Sequence, residues 1–308
     1  MNEEASTPAG PGAGSVVGAD AASLAAVLDA GVVSGMPGVR TLAGAPEPVM
    51  ALRAVGDVEV LREIDRLLVW SQANHSRIGF FSALYWHVAT GVGRALENHD
   101  FQHPDWVDEL DGVFFKRYLV AINHFRRADP NDPPTASWDV SFDAAAETDF
   151  IVVQHLLLGA NAHINFDLSI AVAEAIGAER MPAFRQDYEF LNQVFKGVIV
   201  TVVGNISRFS RVLRWFGWIA GRGEDQVIGF SLKLARDGAW RAAQRLATMT
   251  PDERRQAIAD RDAAVADIAL IVERPGFPAS LLVGLIRRLE RRNVNRIIHD
   301  LLLTGGGT

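Results

Sequence analysis

From Val58 to Leu303 the apolar residues recur every three to four positions and almost nowhere alternate, which restricts the chain to helices packed on helices. The pattern predicts helices over Val58–Gln72, Phe80–Leu96, Asp111–Phe125, Asp143–Ile176, Ala183–Trp218, Gln226–Leu246, Pro251–Val272 and Pro278–Leu303. The segment Ala183–Trp218 is too long for one uninterrupted helix, and Gly204 or Ser207 is the expected joint. Val198–Val203 is β-branched enough for a strand, but no partner strand is visible, so helix is preferred there as well. Asp129–Pro134 breaks the pattern, because each proline disfavours helix at the residue before it. Gly177 is the expected stop of the long central segment, and Pro251 followed by Asp252 and Glu253 is a strong helix start. Residues 1–45 are rich in Gly, Ala, Pro and Ser, with one weak helical stretch at Ala21–Ala30. The fold class is therefore all-α: a single-domain helical bundle over residues 46–304 behind a disordered N-terminal arm over 1–45.

Composition narrows the function classes. The chain has no cysteine, which excludes disulfides, thiolate metal sites and cysteine nucleophiles together. No uncharged apolar run reaches the ~18 residues of a membrane helix, and the acidic start Met-Asn-Glu-Glu has no apolar run behind it. A cytoplasmic protein with neither a secretory signal nor a membrane partner is the expectation. Thirty basic residues against 37 acidic give a net charge of −7, which disfavours nucleic acid as a partner. One basic cluster stands out: Arg287, Arg288, Arg291, Arg292 and Arg296, with Glu290 among them. It reads first as a solvated helix face, since no aromatic residues interleave with the arginines. Its alternative is a face for a helical interaction partner, and self-association into a homo-oligomer is compatible with the chain.

Chemistry concentrates in one segment. At 100° per residue Asp149, His155, Gly159, His163, Asp167 and Glu174 fall within an arc of about 120°. The rest of that helix carries Ile151, Val152, Leu156, Leu157, Leu158 and Leu168, and a helix apolar nearly all round belongs in a core. Buried His and carboxylate groups need partners, since unpaired buried charges cost several kcal/mol. Three arrangements satisfy them. His163 and Asp167, four apart, could ligate a divalent metal (zinc, iron or manganese) together with His155 or Asp187. Asp167 could instead orient the His163 imidazole as a general base near neutral pH. Or the groups could bond one another as a purely structural network. Gly159 signals a close approach by another helix or by a ligand.

The run Leu158-Gly159-Ala160-Asn161-Ala162-His163-Ile164-Asn165-Phe166-Asp167-Leu168 resembles the signature of an uncharacterised bacterial and fungal family, the domain of unknown function numbered 5995. Phe81–Thr90, Leu110–Leu119, Trp138, Asp187–Asn192 and Ala239-Trp240-Arg241 are similar to its further segments, in order, over roughly residues 50–250. The resemblance implies a shared helical fold and a site at Asn161, His163 and Asp167. It implies no reaction. His87 stands where a small or hydroxyl residue is expected, and His155 is peculiar to this chain; both suit adaptation to a particular substrate.

Other helices add candidates. Tyr85, His87 and Tyr118 could line a pocket with Trp86 and Phe114, although the tyrosines read first as core aromatics with hydroxyls bonded to backbone. His99 and His103 flank a polar turn before Pro104 and read as surface loop. Asp187 and Asn192 lie too far apart around one helix to share an ion, and Asp187 is the better ligand. Motifs for phosphate cradles, zinc proteolysis, serine hydrolysis, dinucleotide binding, di-iron carboxylate bundles and ionising terpene cyclases are absent. The resulting expectation is an enzyme of specialised metabolism acting on a small, largely hydrophobic metabolite, terpenoid- or polyketide-like. Its centre is His163 and Asp167, with Asn161, His87 and Tyr85 around them and metal or acid–base chemistry left open. The alternative is a helical protein that binds such a molecule without turnover.

Overall fold

The computed structural model describes the backbone of residues 57–209 and 224–304, and side chains within 59–206 and 232–304. The expected N-terminal arm and the Ala21–Ala30 helix lie outside these residues, as does the expected start near Pro46. Among the described residues there are helices and no strands. They are α1 (Asp57–Ala73), α2 (Ile78–Glu97), α3 (Pro104–Arg127), α4 (Ala136–Ala146), α5 (Val152–Ala160), a π-helical segment (Asn161–Asp167), α6 (Leu168–Ala175), α7 (Gly177–Phe209), α8 (Glu224–Leu246), α9 (Pro251–Glu273), α10 (Ala279–Leu289) and α11 (Val294–Leu301).

The axis of the bundle is the continuous rod α5–π–α6. It packs against α2, α3, α4, α8 and α9, which bury most of it and leave Leu157 and Glu174 exposed. That explains its composition, because a helix buried over most of its surface has little use for polar residues except where they meet partners. Val152–Ala175 has the length and mean apolarity of a membrane-crossing helix once its charged Asp167 and Glu174 are allowed for, and 83% of its most apolar stretch is buried inside the fold, as in a core helix. Asp167 interrupts the uncharged run, and inside the protein that charge is neutralised by partners.

Helix ends follow local chemistry. Thr250 and Glu253 form a reciprocal capping box at the start of α9, with Pro251 in the first turn as expected. Gly177 takes φ +65°, the left-handed conformation that ends α6 and re-aims the chain into α7. Three expected boundaries are corrected. The segment read as Asp143–Ile176 is two helices, α4 and the central rod, separated at residues 147–151; Asp262 on α9 fixes the start of α4 by accepting from the backbone of Ala136 and Ser137 and from the Ser137 hydroxyl. α7 runs unbroken through Gly204 and Ser207 to Phe209, since its packing against α2, α8 and α11 outweighs the weak local propensity of glycine. Pro278–Leu303 is not one helix but α10 and α11, divided at Glu290–Asn293, where Asn293 caps α11 through the Arg296 N–H. The arginine cluster is therefore spread over two helices and their link.

Candidate functional site

Asp167 sits at the far end of the π segment, 1% exposed, and accepts three donors. Arg117 Nε on α3 reaches Oδ1 at 2.9 Å, while Trp138 Nε1 on α4 at 2.8 Å and His163 Nδ1 at 3.1 Å reach Oδ2. An ionised carboxylate only accepts, so the His163 proton is on Nδ1 and Nε2 carries the lone pair. Nε2 is buried and has no hydrogen-bond partner. The imidazole lies flat on Phe114, centroids 3.6 Å apart, and Tyr85 meets it edge-on at 4.9 Å. Phe81, Trp138 and Tyr118 complete an aromatic box with ring centroids 5.8–6.0 Å from that of His163. Burial pushes the His163 pKa below the usual imidazole value of 6.5, and the bond to Asp167 and its charge pull the other way without restoring it. His163 is a neutral, oriented imidazole at pH 7.

The π segment produces this arrangement. Its wider turn lets Leu168 N–H reach back to the His163 carbonyl, five residues away. Asn161 anchors the same turn, donating to the Val265 carbonyl on α9 at 2.9 Å and accepting from Asn165 at 2.9 Å. Gly159 one turn earlier allows Phe81 to approach: a Cβ there would meet the Phe81 ring at 2.5 Å, so the close neighbour is helix α2.

Of the expected site residues, His163, Asp167 and Tyr85 come together, and Asn161 supports them from the next turn. The others are elsewhere. Nε2 of His87 donates to the Leu301 carbonyl at 2.7 Å and docks α11 onto α2. Asp187 holds the start of α3, accepting from the backbone of Gln102 and His103 and from His103 Nδ1 at 2.8 Å; His103 is thus a structural partner and not free loop. Asn192 accepts from the buried Arg236 at 2.6 Å. His155 lies beyond Phe80 and Phe81, with neither ring nitrogen bonded, beside a cavity of about 10 Å³ with room for one water at most. Burial drives its pKa down to about 3. The common arc fails at its first member, since Asp149 precedes the helix; Glu174 is exposed and lines the same cleft as Asp167.

Two partners were missed from sequence. Arg117 was legible only as one charge among several on its helix and Trp138 only as an aromatic after a proline-rich break, both inside family-like stretches that assign them no role. Together they form the floor of a surface cleft of about 250 Å³, whose lining includes Val113, Lys116, Val120 and Thr135, with Asp167 at the base. Arg117 gives Nε to Asp167 and is still 23% exposed, so its two Nη groups remain for the cleft. Lys116 is exposed and makes no ion pair among the described residues.

For a metal, the donor set as arranged is poor. The Asp167 oxygens are occupied by three N–H donors, and His163 Nε2 is the single lone pair left, ringed by aromatic carbon. His155 and Asp187 lie in other parts of the bundle. A family model described as "Family of unknown function (DUF5995)" matches residues 58–275. No curated protein and no solved structure matches the chain.

Proposed function

The chain belongs to the DUF5995 family, whose name carries no reaction, and from the site itself we propose that it binds a small molecule with an apolar body and a carboxylate or similar anionic group. The observation that carries this reading is the cleft over Trp138, Arg117 and Asp167. Its volume lies just under the usual range for small-ligand pockets, about 300–1,000 Å³, which suits a metabolite of modest size. Val113, Val120 and the Trp138 ring offer apolar wall, while the Arg117 Nη pair matches a carboxylate in bidentate geometry. Asp167, Trp138 and His163 would hold that guanidinium in place, so the buried network acts as a positioning frame.

The experiment is calorimetric titration of the full chain with octanoate and with phenylacetate, beside Lys116→Gln and Val120→Trp. Saturable binding weakened in both variants supports the reading. No binding of either probe, together with no co-purified small molecule in a native mass spectrum, sinks it.

One observation favours a second, enzymatic reading: the bare, buried lone pair at His163 Nε2. A neutral imidazole fixed by a carboxylate is a general base awaiting a proton donor, and the aromatic box suits a terpenoid- or polyketide-like substrate. Opening between Trp138 and Tyr118 would be needed to reach it. A divalent metal would strengthen this reading, and elemental analysis of wild type and His163→Ala tests it: stoichiometric metal lost in the variant would favour it.

A further inference from the structure

Helix α10 carries an exposed apolar stripe that nothing in the described fold covers. Leu281, Leu285 and Leu289, four apart, are 65%, 47% and 57% exposed, and Phe277 in the turn before the helix is 81% exposed. Only Ile286 on this helix is buried. The stripe is bordered by the basic cluster. Arg287 bonds Asp149 and Arg291 reaches Asp300 at 3.3 Å, but Arg288 and Arg292, both exposed, make no ion pair among the described residues. At 100° per residue Arg288 falls about 20° from Leu281, inside the apolar face and not opposite it.

We propose that α10 and the Phe277 turn form an interfacial anchor that docks the chain on a bilayer surface containing anionic lipid. An arginine within a leucine stripe decides between occupants. In a protein–protein interface core it would be stripped of water, and such cores are depleted of charge. At a bilayer it snorkels, stem among the acyl chains and guanidinium at the phosphates. A second copy packed about a two-fold axis would also set the arginine cluster against itself, which repels. Anionic headgroups match five arginines gathered on a chain whose net charge is −7. The sequence reading of this cluster as a solvated face, and of no membrane partner, overlooked the leucines, because α10 has the spacing of an ordinary core-facing helix. This inference is independent of the cleft.

The test is co-sedimentation of the full chain with phosphatidylcholine vesicles and with vesicles one-third phosphatidylglycerol, at low and high salt. The expected result is binding to the anionic vesicles, weakened by salt. Arg288→Gln with Arg292→Gln lowers the partition coefficient on the order of 20-fold. Leu281→Gln with Leu285→Gln lowers it by about tenfold or more. These side chains are solvent-exposed, so the circular dichroism melt stays at the wild-type value; if the leucine pair shifts it, Phe277→Ser replaces that arm. Equal binding to neutral and anionic vesicles, or variants that bind as wild type does, overturns the proposal. So does a concentration-dependent dimer in sedimentation velocity that the leucine pair abolishes while vesicles go unbound, which would assign the face to a second copy.

Discussion

Removing a negative charge from Glu290 should stabilise this protein. The carboxylate lies in the link between α10 and α11. Its Oε2 accepts from Val152 N–H at 3.0 Å, at the start of the central rod, and its Oε1 is buried with no hydrogen-bond partner. Burial raises its pKa from 4.5 to about 7, the Val152 bond opposing only in part. A group whose pKa rises on folding contributes full stability below its unfolded pKa and loses it as pH climbs through the folded one. Stability should therefore fall between about pH 4.5 and pH 7 and level off above. At about 1.4 kcal/mol per pH unit the loss is about 3 kcal/mol when complete, less what the water-facing part of the carboxylate recovers. Glu290→Gln keeps an oxygen for Val152 and cannot ionise. Urea unfolding from pH 4.5 to pH 8.5 should show the variant close to wild type at the acid end and about 2–3 kcal/mol more stable at the alkaline end. A variant less stable than wild type at pH 8 would mean the carboxylate is held by attraction there, and would refute the reasoning.

Other perturbations separate the network from its surroundings. Asp167→Asn leaves the Arg117 charge without its counter-ion and should cost about 3–5 kcal/mol in chemical denaturation, since one partner of a buried pair is lost; a loss under about 1 kcal/mol would show the pair to be solvent-screened. Gly159→Ala drives a methyl into the Phe81 ring and should cost about 1–3 kcal/mol by the same assay, with an unchanged midpoint counting against the close packing. His155→Phe removes two unbonded buried nitrogens and should be neutral or stabilising by about 1 kcal/mol at pH 7. Because the His155 pKa falls on folding to about 3, wild type should also lose stability as pH drops below about 6.5, a slope the phenylalanine variant should reduce; equal slopes would show His155 to be protonated in the fold.

How far the sequence discloses this molecule depends on the range of the interaction concerned. Helical periodicity is local, so α1, α2, α8 and α9 are legible almost to their ends, while α3 starts seven residues before the expected Asp111, at Pro104; Thr250-Pro251 marks the boundary of α9 because a cap is made within four residues. The break at 147–151 was not legible, because the helix start that follows it is held by Glu290, which accepts from Val152 N–H and lies more than a hundred residues away in the chain. The His163–Asp167 pair was visible from its spacing, and its burial from the leucines around it. Its meaning was not, since Arg117 and Trp138 come from two other helices and only the fold says which oxygen each one takes. His87 and Asp187 looked chemical in isolation for the same reason: their partners, a carbonyl on α11 and a helix start on α3, carry no signature in the sequence.

The π turn makes length, more than composition, the constrained quantity in the central rod. One register slip between Asn161 and Asp167 joins two helical stretches whose faces are matched to different neighbours: α5 to α2, α4 and α9, and α6 to α3 and α8. Deleting a single residue there would relax the turn to an ordinary α-helix with a better local hydrogen-bond pattern. Because the turn holds one residue more than an α-helical turn, the flanking faces would stay close to their seats. A deletion inside α5 or α6 has no such turn to absorb it and would rotate one stretch by about 100° relative to the other, carrying buried residues such as Ile170, Ala171 and Val172 off their seats. The rod thus behaves like a keyed shaft that tolerates a lost residue only at its joint.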